Sequence, residues 1–179
     1  MKSLSVKIAD LKSAQSICGI SRKTFTESYG DYNTPENMEK YLEDHFNPAV
    51  VIKELDNKNN IFLLAYCNRT LVGYAKVNVG SNPRNLKMKS GAELERIYVL
   101  RKFQKQGIGK VLLRESERLA LKSDCKTLWL GVWIKNLSAI RFYKREGFAK
   151  FGKHIFMLGE DKQIDLLLKI SLSLKEKMQ

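Results

Sequence analysis

Two rhythms of apolar and polar residues alternate along this chain, one repeating every two positions and the other every three to four. The first marks a strand with one buried face, the second a helix with one buried stripe. Ser5 to Ala9 alternates weakly and predicts a first strand. Asp10 is placed to cap a helix running to about Tyr29. Thr34, Pro35 and Glu36 supply a cap, a first-turn proline and a first-turn acid for a helix to about His45. Asn47 and Pro48 start a shorter helix ending near Asn57. The polar turn 56–60 leads into two strands, 61–66 and 71–79, that read as a hairpin. Gly80 to Ser90 is a basic polar loop, and Ala92 to Val99 a central strand. Gly107 to Lys122 carries Ile108, Val111, Leu112 and Leu119 at helical spacing. Thr127–Val132 predicts a strand, Asn136–Glu146 a helix, and Phe148–Met157 and Gln163–Leu172 two final strands. This order predicts a mixed α/β (α+β) architecture, a central sheet flanked by helices, with residues 1–179 forming one domain and no internal repeat or linker.

Composition narrows the class. Hydrophobic residues make up 44% of 179, enough for a folded core. No apolar run is long enough to span a membrane, and the N-terminal residues lack a secretory pattern. Cys18, Cys67 and Cys125 are too far apart for a zinc site and odd in number, which predicts reduced thiols and a cytoplasmic protein. His45 and His154 add no metal cluster, so no metal is expected.

Charge is less uniform than the net +13 suggests. Glu27 to Asp56 holds eight acidic residues against Lys40 and Lys53, a net of −6, so the rest of the chain carries +19. The basic excess raises nucleic acid as a partner, yet no helix-turn-helix or zinc finger is present, so no specific nucleic-acid binding is expected. The acidic segment reads either as a cation site or as solvated helix faces.

The most informative run is Arg101–Lys110, between a strand and a helix. Basic and amide side chains precede Gly107 and Gly109. Glycine lets backbone approach a ligand, and the first amides and dipole of a helix favour an anion. The spacing excludes a P-loop, and Leu112 stands where a dinucleotide fingerprint needs its third glycine. What remains, Gln104-x-x-Gly107-x-Gly109, resembles the pyrophosphate-binding motif of the GNAT acyl-CoA N-acyltransferases. A second signature of that family, Asn-x-x-Ala-x-x-x-Tyr followed by Gly-Phe, is matched by Asn136, Ala139, Tyr143, Gly147 and Phe148. The segments Leu94–Tyr98, Trp129–Trp133 and Lys153–Gly159 resemble the PaiA-type spermidine/spermine N-acetyltransferases.

The resemblance implies the GNAT fold and acetyl-CoA (leaving CoA) as cofactor. It assigns the phosphates to Gln104, Lys105, Gln106, Gly107, Ile108, Gly109 and Lys110, and the pantetheine arm to the strand edge at Ile97, Tyr98 and Val99. Asn136 contacts the cofactor, although helix capping alone would explain it. Tyr143 is the general acid that protonates the departing thiolate, with Phe142 the more core-like of the two rings. A primary ammonium of pKa ~10.4 lies about 3.4 units from neutrality, roughly 4.6 kcal/mol, so a base is needed. Glu93 and Glu95 stand at alternate positions on the central strand, and Glu93 is preferred. His154 reads as a satisfied structural histidine, Trp129 as core.

For the acceptor, the resemblance implies a small-molecule polyamine. The acidic segment lies where the family builds one wall of the acceptor site, which nominates Glu27, Asp31 and Glu36, with Trp133 lining the groove. The PaiA likeness also implies a link to control of sporulation and degradative enzymes, and a homodimer is left open. Acetylation of a protein N-terminus or lysine is the alternative enzymatic reading. A DNA-binding transcriptional regulator is the alternative from another class.

Overall fold

The structure, a computed structural model, describes residues 3–82, 90–158 and 161–173, with the side chains of 156–158, 161 and 162 outside the description. Residues 83–89 of the basic loop and Gly159 of the Lys153–Gly159 motif therefore lie outside the described residues. Among the described residues the strands are β1 (Leu4–Ile8), β2 (Asn60–Cys67), β3 (Thr70–Val79), β4 (Gly91–Val99), β5 (Thr127–Trp133), β6 (Ala149–Leu158) and β7 (Asp161–Ser171). The helices are α1 (Ala14–Tyr29), α2 (Pro35–His45), α3 (Pro48–Asp56), α4 (Ile108–Lys122) and α5 (Leu137–Arg145). The strands form one mixed sheet in the order β1-β2-β3-β4-β5-β7-β6, with β4 at its centre. No described helix is long and apolar enough to cross a membrane.

The described chain divides into two compact units. One holds residues 1–77 and 96–116, the other 78–95 and 117–179, so β3, β4 and α4 each pass from one unit into the other.

In the first unit, β1 pairs antiparallel with β2 from Leu4 opposite Cys67 to Ile8 opposite Leu63. Asp10 does not start α1 directly. Its carboxylate accepts the Ser13 hydroxyl at 2.9 Å, and a 3₁₀ turn over Leu11–Ser13 precedes the helix. Thr34 and Asn47 cap as their sequence positions predict, accepting from Asn37 N at 3.2 Å and Val50 N at 3.0 Å. Ile17, Cys18 and Ile20 of α1 and Val51 of α3 pack on Phe62, Leu64 and Tyr74 of the sheet.

In the second unit β5 is the hub. It pairs parallel with β4 over Gly91–Glu93 and Thr127–Trp129, and antiparallel with β7 along its whole length. β6 closes the edge against β7, with an irregularity between Lys150 and Gly152. Leu128, Leu130 and Val132 are buried. A Cβ on Gly147, just past α5, would meet Ile170 Cδ1 at 3.3 Å. Gly147 has φ +93°, a conformation that favours glycine. Val111 is more exposed than its place in the helical pattern of α4 suggests, while Ser116 and Glu117 of α4 are buried.

Candidate functional site

The first unit contains the phosphate-loop candidate. After β4 the chain makes a 3₁₀ turn at Arg101–Phe103 and enters α4 at Ile108. Lys105 has φ +60° and Gly107 φ +83°. A Cβ on Gly107 would meet nothing within 4 Å, so the glycine serves backbone conformation rather than space. The first intrahelical bond runs from Val111 N to Gly107 O at 3.1 Å, so the amides of Ile108 to Lys110 precede the helical ladder. Gln104 Nε2 donates to Val99 O at 3.0 Å, and Gln106 Nε2 to Lys102 O at 3.2 Å. Two loop amides thus tie the loop to the strand end and to itself. Lys105 and Lys110 are exposed.

The strand edge assigned to Ile97, Tyr98 and Val99 is shaped by a residue the sequence reading passed over. A Cβ on Gly73 of β3 would come within 2.8 Å of Tyr98 O and 3.3 Å of Val99 Cα. Only glycine lets β3 approach β4 this closely, and a glycine inside a strand is the available signal. The Tyr98 side chain joins an aromatic cluster. It stacks on Tyr74 at 5.9 Å and meets Phe25 edge-on at 6.4 Å. Burial, the neighbouring Tyr29 and Tyr74 phenols and a hydrogen bond with Tyr29 hold the Tyr98 phenol well above its ordinary pKa.

Most of the acidic segment is met by cations, all but Lys40 from elsewhere in the chain. Arg22 pairs with Glu39 and Glu43 at 3.0 and 2.8 Å, and Lys40 with Asp44 at 3.2 Å. Glu54 takes Lys76 at 2.7 Å and Arg96 in a two-pronged contact at 2.8 Å. Glu27 and Asp31 meet at Arg101. Glu27 Oε2 accepts from Arg101 N at 2.7 Å, the Arg101 guanidinium donates to Glu27 O, and Asp31 Oδ2 lies 3.9 Å from it. Two nominated acceptor carboxylates therefore flank the residue that opens the candidate loop. Glu36 is exposed in the first turn of α2, away from any described cation partner.

The second unit holds the remaining candidates. Asn136 caps α5, its Oδ1 accepting from Ala139 N at 3.1 Å. Tyr143 is 7% exposed and packs against Phe148 at 5.6 Å and Phe142 at 5.2 Å. Phe142 is only half-buried, which reverses the order predicted for these two rings: the inward face of α5 carries Ile140 and Tyr143, three residues apart. Glu93 and Glu95 do share a face, because Asn78 Nδ2 donates to both, at 3.3 and 2.5 Å. Glu93 is half-buried and also accepts the Ser81 hydroxyl at 3.0 Å, whereas Glu95 is exposed. Trp129, opposite Glu93 in the parallel register, donates to Ser81 O at 2.9 Å. Trp133 is buried, with Lys135 Nζ 5.6 Å from its ring centroid. His154 is exposed rather than enclosed and stands opposite Asp165 across β6 and β7. All three cysteines are buried free thiols, and burial pushes the Cys18 thiol up, which disfavours a thiolate.

The acetyltransferase (GNAT) family matches the chain over residues 15–148, spanning parts of both units. An uncharacterized N-acetyltransferase of Lactobacillus delbrueckii subsp. lactis is 36% identical over 169 residues, 93% of this chain and 98% of that relative. The spermidine N(1)-acetyltransferase of Thermoplasma acidophilum is 23% identical over 150 residues, 82% of this chain and 88% of that protein. Among solved structures, the PaiA N-acetyltransferase of Thermoplasma acidophilum in complex with coenzyme A superposes with a TM-score of 0.77 at 20% identity, covering 94% of this chain and 99% of that one.

Proposed function

The chain belongs to the acetyltransferase (GNAT) family, and from that premise we propose that it acetylates a primary amine of a polyamine, spermidine or spermine, by direct attack of the amine on acetyl-CoA. The observation that carries the choice of acceptor is the match over 82% of the chain to a spermidine N(1)-acetyltransferase.

Acetyl-CoA supplies the acetyl group as a thioester. The residues of the loop suit its phosphates. Lys105 and Gly107 adopt positive φ and lead into the first turn of α4, whose amides and dipole favour an anion. The side chains of Gln104 and Gln106 hold that loop in shape. Ile97 to Val99 offer backbone amides and carbonyls to an extended, amide-rich arm.

Glu93 takes the proton that the ammonium sheds, directly or through one water, and Asn78 and Ser81 fix its orientation. Tyr143 donates its phenolic proton to the leaving sulfur as the C–N bond forms and the C–S bond breaks, and the second proton shed by the acylated nitrogen restores the phenol through solvent. No cysteine is needed as a carrier, in keeping with three buried thiols.

Thiol release from acetyl-CoA, measured against polyamines, N-terminal and lysine peptides and aminoglycosides, tests this reading. Stimulation by spermidine and spermine above the other classes is expected. Release stimulated by peptides alone would replace the polyamine reading with protein acetylation.

A further inference from the structure

β5 places Trp129, Gly131 and Trp133 on one side of the sheet, two residues apart. The two tryptophans are 7% and 8% exposed, while Gly131 between them is open to solvent. Cross-strand pairing brings Asp165 of β7 opposite Trp133, and His154 of β6 opposite Asp165. Directly paired antiparallel residues point to the same side. A Cβ on Gly131 would lie 3.2 Å from Asp165 Oδ2 and 3.6 Å from His154 Cε1. The missing side chain therefore leaves a notch, floored by backbone and rimmed by a carboxylate and an imidazole, with Trp133 the next residue along the same face of β5.

Asp165 is half-buried in an otherwise apolar run, Ile164 to Leu168, and no lysine or arginine among the described residues pairs with it. Burial raises its carboxyl above the ordinary aspartate value, and His154 draws it partly back. A carboxylate kept where burial opposes its charge is a feature of binding sites.

We propose that Asp165, over the bare backbone of Gly131 and beside Trp133 and His154, is an ammonium-binding subsite for the far end of the acceptor. The inference rests on the polyamine reading above and adds a second station to it. Glu93 lies opposite Trp129 on one side of β5, and Asp165 opposite Trp133 on the other, so their positions are offset by about 13 Å along the strand and about 10 Å across it, roughly 16 Å in all. Two carboxylates so spaced suit an extended chain with an ammonium at each end.

The test uses steady-state kinetics of the full chain with spermidine and with an alkyl monoamine of matching length. For Asp165→Asn, the spermidine KM should rise roughly 10–100-fold more than the monoamine KM, the range for one charge-assisted hydrogen bond. The effect on kcat should be smaller, and Asp165→Glu should recover part of the loss. Gly131→Ala, which pushes a methyl group against the carboxylate, should raise the spermidine KM in the same sense. An equal change for both amines, or none, in a folded Asp165→Asn protein overturns the subsite. A wild type that turns over no amine overturns the polyamine reading instead. The subsite is then judged by tryptophan fluorescence titration with spermidine, and binding that is absent or indifferent to Asp165→Asn overturns it as well.

Discussion

At the scale of single residues, the candidates differ in what else holds them. Tyr143 packs between Phe142 and Phe148, so removing its hydroxyl leaves the ring in place. Tyr143→Phe should lower kcat by roughly 10²–10⁴-fold with little change in CoA affinity, measured by steady-state kinetics and calorimetric titration. Glu27 has a different position, because its carboxylate accepts the backbone amide of Arg101 at the head of the proposed phosphate loop. Glu27→Gln keeps an acceptor and removes a negative charge, so CoA affinity should hold or tighten. Glu27→Ala removes the acceptor, and CoA affinity should weaken. Asp165 allows a pH test of its burial. Its folded-state pKa is raised, so the folded chain binds a proton more readily than the unfolded one. Stability therefore falls as pH rises from the ordinary aspartate value through the folded one. Asp165→Asn cannot ionise and should raise the Tm near neutral pH, with the gain shrinking as the pH drops toward the ordinary aspartate value.

At the scale of elements, the cofactor proposal turns on the junction where β4 gives way to α4. Gly109 lies in the first turn of that helix, half-buried. Gly109→Glu sets a carboxylate where the dipole and loop favour an anion, and should abolish CoA binding in a calorimetric titration while the circular-dichroism spectrum stays that of the wild type. Retained affinity would detach this loop from the cofactor. The elements themselves were legible because periodicity and caps are local. Thr34 with Pro35 and Asn47 with Pro48 mark helix starts that the structure shows at Pro35 and Pro48. Asp10 was less legible, since the same capping residue also supports a 3₁₀ turn, and Ser13 draws it into one. The need for glycine at position 73 was hidden for another reason. It arises from a carbonyl 25 residues away in sequence, at Tyr98, which no local pattern contains.

At the scale of the whole chain, charge is the quantity that folding rearranged. The −6 of the segment Glu27–Asp56 is answered by Arg22, Lys76, Arg96 and Arg101, all outside it. The most enclosed of these contacts is Glu54 with Lys76 and Arg96, whose side chains are 17%, 5% and 11% exposed. Glu54→Gln leaves two buried cations without their counter-ion and should cost up to about 3–5 kcal/mol in denaturant unfolding, an effect on stability rather than on amine recognition. Sequence alone determined the family and the order of elements, because motif spacing and hydrophobic period are written in neighbouring residues. It also determined that Glu93 and Glu95 share a face, since strand parity is local. The tertiary structure decided which of those two carboxylates is sheltered by Asn78 and Ser81. It decided too that the acidic segment is largely paired, and that Asp165 comes to Gly131 beside Trp133. Each of these depends on strands and helices far apart in sequence meeting in space, and counter-ions and notches of that kind exist only once the chain is folded.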